Sequence, residues 1–249
     1  EQEAGSDGTV LISSEQYYRH TLVESNDDDL LSRRANFVRL MAEAFGRDTE
    51  IVIVLRRPDS FCESRHQERV KKTPYTKTIA DYALDPEEWI GFDYATQIKL
   101  LQENFDKVHV LIFETLLRDR AAGGPEQAFL AALNLDVTFA EPPQRLNESL
   151  HPYIVEYKRL MNYQRPPDKG SVREFKILLN LQTSGAFAWS GEKMTMWAEM
   201  DRFAFLEKCQ ESMTWVSENF PELLDENGKL FPEVQNLPPH VSDIPISVF

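Results

Sequence analysis

The stretch IVIVLRRPDSFCESRHQERVKK, residues 51–72, decides how this chain is interpreted. Its first five residues are apolar and mostly β-branched, which predicts a buried strand. Arg56 and Arg57 follow at once, and Pro58 or Asp59 then opens a predicted helix, because proline suits the first helical turn. A strand that runs into arginines and the start of a helix is typical of a site for an anion such as phosphate.

Two serines on the predicted helix extend this corner. Ser60 and Ser64 are four residues apart and therefore share a helix face, and Arg65 adds a positive charge beside them. A guanidinium, hydroxyls and free helix amides together suit a phosphate. The alternative is that Arg56 and Arg57 pair with surface acids while both serines face solvent.

Three apolar runs in the first half of the chain, including the one already described, predict strands. These runs occupy residues 9–14, 50–56 and 107–113. Helical spacing of apolar residues precedes the second and third runs, at Phe37, Leu40, Met41, Ala44 and Phe45, and at Tyr94, Ile98, Leu101 and Phe105. Residues 46–48, GRD, predict the end of the first of these helices. Strands alternating with helices predict an α/β fold with a parallel sheet.

The second half of the chain has a helical pattern. Helices are predicted at residues 125–135, at about 152–163, and in a final segment with a stripe of Phe203, Leu206, Met213, Val216 and Phe220. A tail rich in proline follows from Pro221. We interpret residues 1–249 as a single domain, with an α/β core at 1–140, a helical part at 141–220 and an irregular tail at 221–249.

Composition limits the possible partners. The 249 residues are 42% hydrophobic, which is enough for a substantial core, and contain no apolar run long enough to span a membrane. The net charge of −14 opposes binding to nucleic acid and other anionic polymers, although a local basic pocket could still bind a small anion. Cys62 and Cys209 lack metal-ligand spacing and favour a reducing compartment, so we expect a cytoplasmic protein.

The segment VLRRPDSFCES, residues 54–64, resembles the 3′-phosphate-binding segment of the sulfotransferases that use 3′-phosphoadenylyl sulfate (PAPS). In that family an arginine at a strand end is followed eight residues later by a serine on the next helix. Arg56 and Ser64 match this spacing. Further segments resemble bacterial members in the same order, from residue 10 to residue 162, with a weaker likeness at residues 192–220.

The resemblance implies a fold, a reaction and a donor. The fold would be P-loop-like, with three layers, a central parallel sheet and a largely helical C-terminal half. The enzyme would transfer a sulfuryl group from PAPS to a hydroxyl or amine of a small-molecule, lipid or glycan acceptor and release 3′,5′-ADP. Arg56 and Ser64 would bind the donor, with Ser60 and Arg65 beside them, and no metal would be needed.

One feature of the family has no counterpart here. In the family, the first strand leads into a P-loop-like segment whose amides and lysine hold the 5′-phosphosulfate. Residues 1–249 of this chain contain no GxxxxGK[ST] or similar run. Residues 185–193, GAFAWSGEK, contain glycine and lysine but follow no predicted strand. We expect a missing N-terminal segment of several tens of residues or more, because a sheet without its first strand would leave a central edge unpaired.

Two residues are candidates for the base that accepts the proton of the acceptor. Glu15 follows the first predicted strand, and its alternative role is a helix-dipole partner for residues 16–20. His20 lies about one turn away, and histidine suits proton transfer near neutral pH; its alternative role is an ordinary surface residue. His66 is expected on another helix face, and His109 is expected to be a satisfied core histidine.

Three further features have both a functional and a structural interpretation. Glu114 resembles the acidic residue that ends the third strand in the family, and we interpret it as structural, paired with an arginine or capping the next helix. Residues 65–72 could line an entrance for an anionic donor or form a solvated helix face. Trp189 could stack on adenine or simply pack.

Two other functions remain open. A kinase-like nucleotide-binding protein of the P-loop class would require a Walker lysine and a magnesium-binding carboxylate, and neither is visible in the sequence. A non-catalytic binding module of the same fold would keep the phosphate corner alone. The sequence indicates neither one particular acceptor nor an oligomeric state.

Overall fold

The computed structural model describes residues 10–14, 17–18, 20, 29–118, 124–135, 137, 150–164, 171–185, 194–232 and 238–241. Within these residues the chain is mixed α/β and mostly helical, so the α/β expectation is confirmed. Strands β1 (Glu50–Leu55) and β2 (Lys107–Ile112) form a two-stranded parallel sheet, connected by helices as a parallel pair requires.

Ten α-helices lie in the described residues. In chain order they are α1 (Leu30–Phe45), α2 (Pro58–Lys72), α3 (Ile79–Ala83), α4 (Pro86–Trp89), α5 (Tyr94–Asn104), α6 (Phe113–Arg118), α7 (Pro125–Ala132), α8 (Pro152–Gln164), α9 (Ser171–Thr183) and α10 (Glu199–Asn219). A 3₁₀ turn follows at Pro221–Leu223, and residues 224–232 after it contain no helix or strand, so this part of the proline-rich tail is irregular.

Local capping explains where α1 begins and ends. The Asp29 carboxylate accepts a hydrogen bond from the backbone N–H of Ser32 at 3.0 Å, which satisfies one of the free amides of the first turn. Gly46 ends the helix at φ +92°, a backbone conformation that favours glycine, and its N–H donates to the Ala42 carbonyl at 3.0 Å. The helix and stop predicted here are confirmed.

The first predicted strand is wrong. Residues 10–14 have no strand conformation, and the side chains of Val10, Leu11 and Ile12 are 69%, 53% and 59% exposed. A β-branched run becomes a strand only where a neighbouring strand supplies hydrogen bonds, and no backbone group of the described chain pairs with these residues. By contrast, β1, β2 and α5 form where the sequence predicts them.

The last long helix buries a different face from the one expected. Its buried residues are Phe205, Cys209, Ser212 and Val216, whereas Phe203 is 65% exposed. Of the predicted stripe, Val216 is buried on this face and Met213 is partly buried against the same core. The helix packs against α2 and α3, and these contacts select the buried face, because α10 carries apolar residues on more than one side.

Two compact units divide the chain. Unit 1 contains residues 1–53 and 96–109, and unit 2 contains residues 54–95 and 110–249. Unit 1 buries Val38, Ala42, Ile98, Leu101 and Phe105. The core of unit 2 includes Cys62, Val70, Tyr82, Phe92, Leu150, Val155, Trp197, Phe205 and Cys209. The interpretation of residues 1–249 as a single domain stays a prediction.

Residues 238–241 pair with a segment just before α10. The N–H of Thr195 donates to the Pro239 carbonyl, and the N–H of Val241 donates to the Thr195 carbonyl, each at 3.2 Å. Thr195 and His240 thereby form an isolated parallel bridge, and Val241 is buried. This part of the predicted tail is therefore attached to unit 2.

Candidate anion-binding site

The candidate site lies in unit 2, where β1 and β2 end. The chain leaves β1 through Arg56 and Arg57 into α2, whose first residue is Pro58, and leaves β2 directly into α6 at Phe113. Pro58 suits this place because proline fixes the helical φ and has no N–H to leave unsatisfied. The hydroxyl of Tyr94 donates to the Arg56 carbonyl at 2.5 Å and fixes the end of β1.

A buried carboxylate holds two arginines of the site. The Asp59 side chain is 3% exposed; its Oδ1 accepts from Nε of Arg57 and its Oδ2 accepts from Nε of Arg202, each at 2.6 Å. Burial opposes the charged form of Asp59, but the hydrogen bonds and charges of Arg57 and Arg202 outweigh it and lower its pKa. The first turn of α2 is thereby bound to α10.

A second acid connects α2 with the segment before α10. Glu63 accepts hydrogen bonds from the Thr195 hydroxyl at 2.9 Å and from the Met196 N–H at 3.0 Å. Burial raises the pKa of Glu63, and these two hydrogen bonds offset only part of that effect. The indole N–H of Trp197 donates to the Asp59 carbonyl at 3.1 Å, so the segment contacts α2 at both acids.

Glu114 holds the turn between β1 and α2. Its Oε1 accepts a hydrogen bond from the Arg57 N–H at 3.0 Å, while its Oε2 is buried without a partner among the described residues. The structural role predicted for Glu114 takes this form: a cap on the backbone of α2 rather than an ion pair with a side chain.

Arg56 differs from its neighbour Arg57. Its guanidinium lies over the Phe113 ring, 5.2 Å from the ring centre, and makes no hydrogen bond or ion pair with any residue in the described ranges. Its charge does reach Glu63, where it helps to counter the raised pKa. A half-buried cation at a strand end without an acid bound to it is suited to an incoming anion.

The other predicted donor-binding residues have different environments. The Ser60 hydroxyl accepts a hydrogen bond from Nη2 of Arg57 at 2.8 Å and is part of the Asp59 network. Ser64 is exposed, and no described residue bonds its hydroxyl. Arg65 is half-buried, with its Nε buried and unpartnered, and its charge acts on the phenol of Tyr82. The alternative in which both arginines pair with surface acids and both serines face solvent is thus met only in part.

Of the two candidate bases the structure describes His20, which belongs to unit 1. Glu15 lies outside the described residues, as does Trp189. His20 is exposed; its ring contacts Phe37 edge-on at 4.7 Å, and its carbonyl accepts from Nη1 of Arg34 at 3.1 Å. Burial lowers the pKa of Arg34 to about 10.

The remaining histidines have structural contacts. His66 is fully buried, and its Nε2–H donates to the Lys77 carbonyl at 3.0 Å. His109 is not the core residue expected, because its Nε2 lies 2.8 Å from the carboxylate of Glu50 in an exposed pair across β1 and β2.

The site also contains residues that the sequence interpretation missed: Glu63, Thr195, Trp197 and Arg202. A signal existed for Glu63, because it lies four residues after Asp59 on the same helix face. The other three lie more than 130 residues away in the chain, in a segment that we related to the family only weakly.

Comparisons with protein-family models, with curated proteins and with solved structures found no match to this chain. Within the described ranges, no helix combines the length and apolar character needed to cross a bilayer. Nor do the described residues include a group of three or more histidines, cysteines or acids that could hold a metal ion.

Proposed function

We propose that this chain is a PAPS-dependent sulfotransferase and that Arg56 and Ser64 bind the 3′-phosphate of the donor. The observation that supports this most is the difference between two adjacent arginines: Arg57 is bound to a buried carboxylate, whereas Arg56 is not. An exposed hydroxyl at Ser64, on the helix that starts beside Arg56, is the second expected contact.

The buried acids fit this proposal because their charge is largely offset. Asp59 is neutralised by two arginines, and the raised pKa of Glu63 reduces its charge as pH falls. A phosphate at Arg56 would therefore be repelled less than the presence of Asp59, Glu63 and Glu114 in the site suggests. The positive end of the α2 dipole favours an anion there, but Pro58 has no N–H and the N–H groups of Ser60 and Phe61 donate to the Asp59 carboxylate and the Arg57 carbonyl, so side chains would make the contacts to the phosphate.

The rest of the proposal concerns the reaction. PAPS supplies the sulfuryl group when bound, and an acceptor hydroxyl or amine must lose a proton as it attacks. His20 and Glu15 remain the proposed bases. The proposal also includes the P-loop-like three-layer fold and a cytoplasmic location. The acceptor is a small molecule, a lipid or a glycan, because no contact in the described residues distinguishes among these.

Calorimetry with 3′,5′-ADP tests the assignment of Arg56. Replacing Arg56→Ala removes a charge-assisted contact of about 1.5–3 kcal/mol, so we expect affinity to fall by about 10- to 100-fold. With adenosine 5′-phosphate, which lacks the 3′-phosphate, wild type and the variant should bind equally. Ser64→Ala should show the same ligand dependence with a smaller loss.

Arg47→Ala is the matched control, because Arg47 is an exposed arginine of unit 1, and we expect unchanged affinity. Absence of 3′,5′-ADP binding by wild type, or equal losses of Arg56→Ala with both nucleotides, would overturn the assignment. Binding without sulfate transfer from labelled PAPS to any acceptor would favour the non-catalytic module.

A further inference from the structure

Helices α8 and α9 share an exposed apolar surface in unit 2. Lys158 pairs with Glu174 at 3.1 Å, and the N–H of His151 donates to Gln182 at 2.8 Å, so the two helices run antiparallel. In this register residues 157–160 of α8 lie level with about residues 172–176 of α9. The exposed apolar residues are Tyr157, Leu160, Tyr163, Ile177 and Leu181, which we call the α8–α9 face.

The α8–α9 face carries positive charge on an acidic chain. Both acids among the described side chains of these helices are half-buried and bound, Glu156 by Arg159 in two hydrogen bonds and Glu174 by Lys158. The exposed charged residues described there are the cations Arg173 and Lys176. The face is therefore apolar with a basic edge, although the whole chain has a net charge of −14.

The outer side of α10 has the opposite character. Met200 and Phe203 are 76% and 65% exposed, and Glu207 and Glu211 continue the same helix face at spacings of three and four residues. We call these four residues the α10 face. The nearby cations are engaged elsewhere: Arg202 binds Asp59, and Lys208 lies 3.7 Å from the Trp89 ring centre.

We propose that the α10 face of one copy binds the α8–α9 face of a second copy. Each face buries large apolar side chains that water now surrounds, and the acids of one match the cations of the other. The two faces differ, so the contact is heterologous, and repeated copies would form a ring or an open chain.

Sedimentation velocity on the whole chain, residues 1–249, tests self-association. We expect the wild-type protein to associate at concentrations below about 100 µM, with assemblies that grow larger as the protein concentration rises. The variants Met200→Ser/Phe203→Ser and Leu160→Ser/Ile177→Ser should each be monomeric. Leu31→Ser/Leu84→Ser is the matched control, because both leucines are exposed and lie outside the two faces, and it should associate like wild type.

Mixing the two monomeric variants gives a sharper result. Each variant retains one intact face, and these faces are complementary, so an equimolar mixture should form a 1:1 dimer and stop there. A symmetric contact of either face with itself would instead let one of the variants associate alone. That outcome, or a mixture that remains monomeric, would overturn the proposal.

Charge reversal tests the polar part of the contact. Arg173→Glu/Lys176→Glu and Glu207→Lys/Glu211→Lys should each weaken association at least tenfold, while all four changes in one chain should restore it. Glu222→Lys/Glu226→Lys changes net charge as the second pair does, at exposed positions beyond α10, and should have little effect. A wild-type protein that stays monomeric would contradict the proposal. This holds also if the monomer binds vesicles of anionic lipid through the α8–α9 face.

Discussion

At the scale of single residues, Asp59 explains why two adjacent arginines have different environments in the described chain. Arg57 and Arg202 both bind its carboxylate, and the Arg57 N–H is bound by Glu114. Arg56 is directed instead over Phe113, a cation–π contact worth about 0.5–1 kcal/mol that restrains the guanidinium without neutralising it. The buried network thus gives the site one restrained cation.

Asp59→Asn should destabilise the fold. Removing the charge leaves Arg57 and Arg202 half-buried without a counter-ion, and we expect the free energy of unfolding to fall by about 3 kcal/mol. Urea unfolding at neutral pH measures this loss. Asp106→Asn is the control, because the Arg47–Asp106 pair is largely exposed and should cost less than about 1 kcal/mol. Equal stability of Asp59→Asn and wild type would contradict the role of Asp59.

His66 should make stability depend on pH. Burial lowers its pKa, although the Lys77 carbonyl and Glu156 partly oppose this, and its Nδ1 is buried without a partner in the described chain. The unfolded chain therefore binds a proton below about pH 6.5 that the folded chain resists, so the free energy of unfolding falls as pH drops through that range. We expect His66→Phe to have a flatter dependence between about pH 7 and pH 5 in urea unfolding, and an unchanged slope would contradict this.

The sequence predicts the elements that carry Arg56 and Ser64 but cannot predict which distant residues reach Asp59, for a physical reason. Arg56 and Ser64 lie on a strand end and the helix beside it, so local spacing is sufficient to place them. Arg202 and Trp197 reach Asp59 only after α10 has packed on α2. Spacing along the chain contains no information about such contacts.

At the scale of elements, the same limit separates β1 from residues 10–14. Both runs are apolar and β-branched, but β1 is paired with β2 and the other run has no described partner. Periodicity and capping predict α1 and α5 because those signals are local. The buried face of α10 depends on its neighbours, which explains why Phe203 was misplaced.

Ser212→Ala should weaken the start of α5. The Ser212 hydroxyl, on α10, accepts a hydrogen bond from the Ala95 N–H at 2.8 Å and so caps a first-turn amide from another helix. We expect a loss of about 1 kcal/mol in the free energy of unfolding. Ser217→Ala is the control, because its hydroxyl bonds only within α10, to the Met213 carbonyl. A smaller loss at Ser212 than at Ser217 would contradict this cap.

At the scale of the whole molecule, both cysteines should report unfolding. Cys62 and Cys209 are free and fully buried; burial raises the pKa of Cys62 well above its usual value and that of Cys209 to about 12. Thiolate is scarce and inaccessible, so we expect Ellman's reagent to label neither thiol in native protein and both in urea. Labelling faster than unfolding would show that unit 2 opens locally.

The bridge between Thr195 and His240 has a practical meaning for protein production. Thr195 also bonds Glu63, and Nε2 of His240 lies 3.1 Å from the Met196 carbonyl, so residues 238–241 clasp the segment that carries Trp197. Shortening the polypeptide to residue 232 would remove those contacts while leaving the ten α-helices of the described residues intact. A purification tag placed far from residues 238–241 is the safer choice, since a shortened protein would keep its helices while losing the support of the segment whose Trp197 contacts Asp59.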